Sequence, residues 1–384
     1  MPDSYGRQPD GPGRHAGRSS RLVTGGAAAA VVLVLVAAGA IFTMHGRGGS
    51  TPDASDAALD RGATTQATEG PAPDAAYPSS AQPTTKPSPA GSKSAAGKAA
   101  TKKTSPPKSS GGGVPAPPAG FTLTFADSFD GGAGTGLSSK YRYDTGPGSK
   151  FGTGEIETTT DSTRNVFHDG DGHLVLKALH SGNDPRSGWT SGRLETQSDS
   201  FGAAKGGKVR MQASIEQPNV TRSNGAGYWP AFWMLGNGLR DGGTWPKIGE
   251  VDILEDVNGR SSVFGTLHCG TNPGGPCGES TGIGSGEKAC GGCQTGFHTY
   301  AVEIDRSSSP EKIRWFLDGR NYFTVSQDRV DDSTWSNAVD HPFFIIFDLA
   351  MGGGFPDAFG GGPTSSTVSG GQMKIDYLAV YNSN

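Results

Sequence analysis

The sequence lacks a helical pattern over most of its length. After residue 118 no run of useful length repeats apolar residues every three to four positions, and residues that favour helices are few. This pattern argues against a helical bundle. The chain instead carries 62 Gly and 26 Pro, which is typical of many short strands joined by turns.

A concentrated patch of positive charge is missing from the larger part of the chain. Residues 1–118 contain 12 Lys or Arg against 7 Asp or Glu, whereas the remaining residues contain 21 against 30. Nucleic-acid binding requires a basic face that neutralises phosphates. The acidic C-terminal part therefore argues against nucleic acid as a partner.

Large apolar side chains are almost absent from residues 45–120, which are rich in Ser, Thr, Pro, Ala, Gly and Lys. Because such a segment buries too little surface to offset chain entropy, it is predicted to be a disordered linker. Residues 22–44 form an uncharged apolar run long enough to span a bilayer, and the four Arg within residues 1–21 predict a basic cytoplasmic tail. An Ala-x-Ala sequence at 38–40 makes a cleaved signal peptide the alternative to a membrane anchor. Either would place residues 121–384 outside the cell, with the membrane contacted only through the N-terminal segment.

Cysteine is rare, and its positions are confined to one short stretch. All four Cys lie between residues 269 and 293. Outside the cytoplasm an even number predicts disulfides, which for four Cys allow three connectivities. The most local choice pairs Cys269 with Cys277 and Cys290 with Cys293. A zinc site of four thiolates is the alternative, because Cys290 and Cys293 have half of its spacing.

Residues 121–384 contain many short stretches of alternating or β-branched residues separated by turn residues. Asp-Gly pairs such as Asp318-Gly319 are typical of hairpins. This spacing predicts antiparallel sheets packed as an all-β sandwich in one domain. The predicted strands span 121–129, 173–179, 192–198, 207–215, 228–235, 249–255, 261–268, 297–305, 312–319, 322–326, 342–351 and 373–381.

The stretch KIGEVDILEDVNG places three carboxyl groups inside one predicted strand. Glu250 and Asp252 share a face because side chains alternate along a strand. Glu255 has the wrong parity for that face. One extra residue around Ile253 and Leu254, a β-bulge, would turn Glu255 onto it. The sequence therefore predicts a bulged strand that presents a row of three acids.

The spacing of this acidic row suits cleavage of a glycosidic bond. With one bulge, the Cα atoms of Glu250 and Glu255 would be roughly 13 Å apart. Long side chains leaning together would bring their carboxyl groups to about 5–5.5 Å, the separation found in retaining glycosidases. Like-charge repulsion would then divide the protons unequally, so that a proton donor and an ionised nucleophile coexist near neutral pH. An exposed acidic strand or a cation-binding edge is the alternative.

Six Trp side chains offer flat apolar surfaces on which a pyranose ring can stack. Trp245 directly precedes the acidic strand and is the first candidate. Trp229 and Trp233 share a strand face, and core packing competes with sugar binding for both; Trp229, next to a turn, is the better binding candidate. Trp315 is predicted to be core. Two more, in loop-like surroundings, have no assignment: Trp189 and Trp335.

Five motifs occur in a fixed order: TSGRLET at 190–196, GYWPAFWMLG at 227–236, TWPKIGE at 244–250, GEVDILED at 249–256, and KIDYLAVY close to the end. Together they resemble glycoside hydrolase family 16, in its laminarinase-like branch with a bulged catalytic strand. The resemblance covers essentially all of the predicted domain. It implies a concanavalin-like jelly-roll sandwich whose concave face binds sugar. It also implies hydrolysis of internal β-linkages of glucans or galactans with retention of configuration.

The resemblance also implies roles for the three acids. Glu250 matches the nucleophile, Asp252 its supporting carboxylate, and Glu255 the general acid/base. In this mechanism Glu255 protonates the departing sugar oxygen while Glu250 attacks the anomeric carbon. Glu255 then helps water to open the glycosyl-enzyme.

Further substrate-binding residues follow from the same resemblance. Trp245 matches a subsite residue, and His268 matches a histidine that lines the site. Arg193 matches a position that hydrogen-bonds sugar hydroxyls. An ion pair of Arg193 with Glu195 or another exposed acid is the alternative.

This sequence departs from the resembled family in two places. Gly154 and Asp348 stand where laminarinase-like relatives often have Asn, which weakens the case for laminarin but not for the chemistry. Asp376 matches a calcium ligand on the convex face, whereas Asp127 and Ser128 stand where its partner position usually has Asp-Glu. No cofactor is expected to be required, and the resemblance implies a structural calcium ion at Asp376.

Three functions are consistent with these observations. The first is an extracellular, monomeric endo-β-glucanase that acts on β-1,3-linked glucan. The second keeps the same chemistry but acts on mixed-linkage glucan or galactan, or transfers the sugar to another sugar instead of water. The third is a lectin-like module that binds wall polysaccharide without cleaving it. The intact row of acids argues against the third, because binding alone does not require two flanking Glu residues.

Overall fold

The computed structural model describes residues 113–383. The predicted tail, the anchor or signal segment and most of the predicted linker lie outside the described residues. Within 113–383, no helix combines the length and apolar character needed to cross a membrane.

Strands dominate the described part of the chain. In order they are β1 (Thr122–Asp127), β2 (Tyr141–Tyr143), β3 (Gly146–Pro147), β4 (Thr158–Thr159), β5 (Val166–His168), β6 (Leu174–Lys177), β7 (Leu179–His180), β8 (Trp189–Ser191), β9 (Arg193–Thr196), β10 (Lys208–Glu216), β11 (Tyr228–Gly236), β12 (Glu250–Glu255), β13 (Ser262–His268), β14 (Ile283–Gly284), β15 (Lys288–Ala289), β16 (His298–Asp305), β17 (Lys312–Leu317), β18 (Arg320–Ser326), β19 (Phe343–Met351) and β20 (Gln372–Ser383). Two short α-helices are α1 (Asp332–Val339) and α2 (Gly354–Ala358). Three 3₁₀ turns span Gly148–Phe151, Asn237–Asp241 and Gln327–Arg329.

Most strands belong to two eight-stranded antiparallel sheets. The back sheet has the order β18-β17-β16-β10-β20-β6-β5, with β1 also paired to β20. The site sheet has the order β14-β13-β12-β11-β19-β9-β2, with β15 also paired to β13. A smaller sheet, β3-β4-β8-β7, contains a parallel pair between β4 and β8. The predicted all-β architecture of two antiparallel sheets is confirmed.

The main core is built from one face of each large sheet. Alternate residues of β10, among them Met211 and Ile215, are fully buried in this core. They meet alternate residues of β19, among them Ile345 and Phe347. The other face of β19 is also buried, because Phe344 and its neighbours form a second apolar cluster. Strand β19 is therefore covered on both faces, which explains its nearly continuous apolar sequence.

The long strands match the sequence prediction, whereas several short elements do not. Strands β2 to β5 and the β14–β15 region were not predicted. Trp189 lies in β8 and Trp335 lies in α1, and both are almost completely buried. The expectation of loop-like surroundings for these two residues is therefore wrong. Trp315 is completely buried, and its predicted core position is confirmed.

Helix α1 was missed because it is only eight residues long. Asp331 caps its N-terminus, since the Asp331 side chain accepts a hydrogen bond of 3.0 Å from the backbone N–H of Thr334. Trp335, Ala338 and Val339 are spaced to bury one face of the helix. Tertiary packing, rather than a long periodic pattern, stabilises this helix.

Packing of the domain begins before the predicted boundary at residue 121. Val114 and Phe121 pack against an apolar cluster on β20 that includes Tyr377 and Tyr381. The hydroxyl of Tyr381 donates a hydrogen bond of 3.0 Å to the carbonyl of Pro115. These contacts attach the start of the described chain to the back sheet.

Candidate active site

Strand β12 contains the predicted bulge. Its register against β13 slips between Asp252 and Glu255, so that Ile253 and Leu254 stand opposite Gly265 alone. Ile253 and Leu254 are both completely buried. The extra residue turns the side chain of Glu255 onto the sheet face that carries Glu250 and Asp252, as expected from side-chain alternation.

Two neighbouring residues support the bulge. Trp315 of the back sheet donates a hydrogen bond of 2.7 Å from its indole N–H to the backbone carbonyl of Asp252. A Cβ atom at Gly265 would lie 2.6 Å from the Trp315 ring. Only glycine leaves room for this indole, so the core itself fixes the irregularity beside the acidic row.

Glu250 lies among two ring side chains and a second acid. Its Oε2 accepts a hydrogen bond of 3.2 Å from the indole N–H of Trp245. Nε2 of His268 lies 3.8 Å from Oε1 of Glu250 and 3.3 Å from Oδ2 of Asp252. Burial raises the pKa of Glu250 to about 8, with a further increase from the negative charge of Asp252, while His268 opposes the shift. Glu250 is thus a carboxyl group whose charge depends on its neighbours.

Glu255 has different surroundings. Its Oε1 accepts a hydrogen bond of 2.9 Å from the indole N–H of Trp229. Burial raises the pKa of Glu255 well above its ordinary value, and the charge of Asp252 adds to the increase. The Trp229 hydrogen bond lowers this pKa by less than burial raises it. Glu255 is therefore suited to hold a proton near neutral pH.

A buried acid absent from the sequence analysis completes this cluster. Oε2 of Glu279 lies 2.7 Å from Nδ1 of His268, and its Oε1 accepts a hydrogen bond of 2.8 Å from the backbone N–H of Cys269. Burial by itself would lower the pKa of His268, but the nearby acids Asp252 and Glu279 outweigh burial and raise the pKa well above the ordinary value. No sequence pattern indicates a role for Glu279, since it lies in a Gly-rich loop outside any predicted strand.

The disulfide prediction is confirmed. Cys269 is bonded to Cys277, and Cys290 is bonded to Cys293. The alternative of a four-thiolate zinc site is therefore wrong, because all four sulfur atoms are used in disulfides. The first disulfide closes the loop that leads from His268 towards Glu279.

Arg193 lies elsewhere on the site sheet, in β9. Its guanidinium carbon is 3.9 Å from the centroid of the Phe151 ring and 4.8 Å from that of Trp233. Nε of Arg193 is 3.2 Å from a carboxylate oxygen of Asp144. The suggested partner Glu195 instead accepts hydrogen bonds from Arg142 and Arg240. An ion pair with Glu195 is therefore wrong, whereas the alternative of a pairing with another acid is borne out by the partly exposed Asp144.

Asp348 links Arg193 to the acidic row. In register, Asp348 lies opposite both Arg193 and Ala231, and Ala231 lies opposite Glu255. Oδ1 of Asp348 accepts a hydrogen bond of 2.6 Å from the indole N–H of Trp233. Burial raises the pKa of Asp348 to about 7, although the positive charge of Arg193 opposes the shift. A row that contains Arg193, Asp348 and Glu255 thus crosses four strands of the site sheet.

The predicted metal ligand is on the other sheet. Asp376 belongs to β20, at an irregularity in its register with β10. Among the described residues, Asp376 is not part of any group of three or more His, Cys, Asp or Glu side chains with metal-binding spacing. Asp127, near its expected partner position, lies 3.5 Å from Nζ of Lys140. The calcium site stays a prediction.

Comparisons with a family model, with known proteins and with solved structures all indicate the same family. The model described as "XgeA-like, catalytic GH16 domain" matches residues 219–295. A glucan endo-1,3-beta-glucosidase from Cryptopygus antarcticus is 30% identical over 275 residues, covering 68% of this chain and 90% of that protein. A beta-glucanase from Rhodothermus marinus is 31% identical over 271 residues, covering 67% of this chain and 84% of that protein. The crystal structure of an endo-1,3-beta-glucanase from Streptomyces sioyaensis has 48% identity and a TM-score of 0.67, and the match covers 71% of this chain and 99% of that one.

The two-sheet fold, the acidic row on one sheet and these relatives together define a glycoside hydrolase. The chain belongs to glycoside hydrolase family 16.

Proposed function

We propose that this protein is a retaining endo-β-1,3-glucanase that acts outside the cell. The observation that carries the proposal is the unequal surroundings of two Glu residues on one bulged strand. Glu250 lies beside the imidazole of His268, whereas Glu255 is buried against the indole of Trp229. Retaining hydrolysis requires this kind of difference between two carboxyl groups.

The roles of the acids follow from their surroundings. Glu250 is the nucleophile, because a nearby imidazolium would stabilise its ionised form during attack on the anomeric carbon. Glu255 is the general acid, because burial favours its protonated form. As the glycosidic bond breaks, Glu255 gives its proton to the departing oxygen, and it later takes a proton from the water that releases the sugar from Glu250.

Asp252 lies between these two residues in sequence and on the same face. Its negative charge raises the pKa of both Glu250 and Glu255. It is also 3.3 Å from His268. Asp252 therefore helps to distribute protons over the site, which supports its assignment as the carboxylate that assists the nucleophile.

Aromatic side chains beside the acids suit a polysaccharide chain. Trp245 and Trp229 each hold one Glu through an indole N–H, and each keeps part of its surface exposed. Their rings provide surfaces on which sugar rings can stack. The names of the similar proteins favour β-1,3-glucan as the substrate. Trp245 and Trp229 are accordingly proposed to bind glucose units next to the cleaved bond.

A polysaccharide panel tests this function directly. The purified protein is incubated with β-1,3-glucan, mixed-linkage glucan, galactan and cellulose, and new reducing ends are measured. The expected result is fastest release from β-1,3-glucan, with oligosaccharide products of β configuration at their first appearance by ¹H NMR. Fastest release from another polymer would change the substrate, α-anomeric products would refute retention, and binding without cleavage of any polymer would favour a lectin.

The location outside the cell is proposed from two features. Residues 22–44 form an apolar segment of exported type, and two disulfides are typical of oxidising compartments. Cell fractionation with an antibody against the domain should detect the domain in the medium or on the outer surface of the cell membrane. Protease added to intact cells should degrade the membrane-bound form. Recovery from the cytoplasm with reduced cysteines would contradict this proposal.

A further inference from the structure

We propose that Glu279 is a positioning residue, which holds His268 as a cation so that Glu250 can be ionised for attack. This inference rests on the proposed function, since it concerns the protonation of the proposed nucleophile. The carboxyl oxygens of Glu279 contact the backbone N–H of Cys269 and Nδ1 of His268. Glu279 acts through the imidazole.

The side chain of Glu279 is completely buried. Its side chain has no exposed surface, and a buried carboxylate is stable only when its oxygens have partners. Both oxygens have one: Oε1 accepts from the N–H of Cys269, and Oε2 contacts Nδ1 of His268 at 2.7 Å. A carboxylate held in this way requires an N–H at Nδ1.

The other ring nitrogen of His268 faces two acids. Nε2 of His268 faces Oδ2 of Asp252 at 3.3 Å and Oε1 of Glu250 at 3.8 Å. A neutral imidazole carries a proton on only one nitrogen. With the proton on Nδ1, the lone pair of Nε2 would face these carboxylate oxygens and repel them. A second proton on Nε2 turns this repulsion into attraction, so the doubly protonated ring fits this geometry.

Three acids surround His268. The groups that face His268 are Glu250 and Asp252 from β12, Glu279 from the loop, and the ring of Trp245, whose centroid is 5.6 Å away. His268 is therefore the cation among three acids. In this group the imidazolium supplies the positive charge that permits an ionised nucleophile beside Asp252.

The fold fixes Glu279 by means outside the acidic strand. The disulfide between Cys269 and Cys277 closes the loop that begins directly after His268. Glu279 then pairs with Gly274 through backbone hydrogen bonds in both directions. The carboxyl group is thus held on the far side of the imidazole from Glu250, and it sets the orientation of the ring. Such partners of a functional histidine commonly affect its basicity.

The first experiment compares Glu279→Gln with the control Glu287→Gln. In the first variant the amide oxygen still accepts from Cys269, while the amide NH₂ faces Nδ1 and favours a neutral ring with its proton on Nε2. The kcat should fall by about 10- to 100-fold with KM nearly unchanged. The acidic limb of the pH–kcat/KM profile should move to higher pH, because loss of a neighbouring cation raises the pKa of Glu250. Glu287, whose carboxylate pairs with Arg260 at 2.6 Å, lies outside the site, and its variant should keep the profile of the unmodified protein.

An unchanged pH profile in Glu279→Gln would overturn the proposal, and so would an equal loss of activity at every pH, which would indicate a purely structural role. The second experiment requires neither turnover nor a folded variant. ¹⁵N NMR of the unmodified protein should report both ring nitrogens of His268 as protonated at pH 7, whereas a neutral ring would refute the proposal. If the protein cleaves no polysaccharide but His268 is doubly protonated, the proposed function fails while the Glu279–His268 pair stands.

Discussion

The site sheet carries two groups of buried charged side chains that are built in different ways. On β12, the acids of the bulged row lie beside an imidazole, and two indole N–H groups donate hydrogen bonds to Glu255 and Glu250. Around β9 and β19, Arg193 lies between two aromatic rings and beside Asp144 and Asp348. The positive charge in the first group can be lost by deprotonation. The guanidinium in the second group stays charged at any pH the protein meets.

This difference separates proton transfer from fixed electrostatics. The group around β12 can change its protonation state during a reaction cycle, because its members share protons and raise one another's pKa. The group around Arg193 keeps a permanent cation, which is suited to hold substrate hydroxyls or neighbouring acids in place. One sheet thus places a titrating centre three strands away from a constant charge.

The strongest test of this comparison is Glu250→Gln. Removal of the proposed nucleophile should lower kcat by about 10⁴-fold or more, since an amide cannot form the glycosyl-enzyme. Circular dichroism and the thermal midpoint should stay close to those of the unmodified protein, because the exchange is isosteric. Normal activity of this variant would show that Glu250 is not the nucleophile.

Glu255→Gln should have the next largest effect. Loss of a general acid/base commonly costs about 10²- to 10⁴-fold in rate. The loss should be much smaller in the first step with an aryl glycoside whose leaving group departs without a proton, which burst kinetics can measure. An equal loss with both substrate types would mean that Glu255 does not protonate the leaving oxygen.

The Asp348→Asn variant tests the group around Arg193 through the pH dependence of the free energy of unfolding. The pKa of Asp348 is raised to about 7 in the folded protein, so the unfolded chain releases this proton at lower pH than the folded one. The stabilising contribution of the protonated group is therefore present at low pH and is lost as pH rises through about 7. Relative to the unmodified protein, the variant should gain roughly 2–4 kcal/mol of unfolding free energy between about pH 4 and about pH 7.

Urea unfolding at several pH values measures this difference. Parallel stability curves for the two proteins would mean that Asp348 is already ionised in the fold. Asp318→Asn is a suitable control on the surface, because Asp318 lies in an exposed turn and pairs with His298 rather than with Arg193.

The smallest expected effects are those of removing the indole N–H groups of Trp229 and Trp245. The N–H of Trp229 lowers the pKa of Glu255, so Trp229→Phe should raise that pKa and move the alkaline limb of the activity profile to higher pH. Trp245→Phe, which removes the N–H beside Glu250, should leave the alkaline limb in place and reduce kcat several-fold. If both variants shift the same limb, the separate assignment of the two Glu residues is wrong.

The sequence by itself determined the parts of this protein that depend on local alternation. The parity of Glu250, Asp252 and Glu255 required one extra residue, and the register of β12 contains it at Ile253 and Leu254. The long strands were predictable for the same reason, because alternate side chains must face the core. The local spacing of the cysteines also indicated the correct disulfides.

Only the tertiary structure decided which distant groups meet these acids. Glu279 reaches His268 through a loop whose path depends on a disulfide and on pairing with Gly274. Arg193 takes Asp144 as its partner instead of Glu195, because two other arginines occupy Glu195. Side-chain alternation is a property of a few consecutive residues, whereas these contacts arise from the closure of loops and the order of strands. The residues of the proposed chemistry are therefore visible in the sequence, but the charged groups around them are set by the fold.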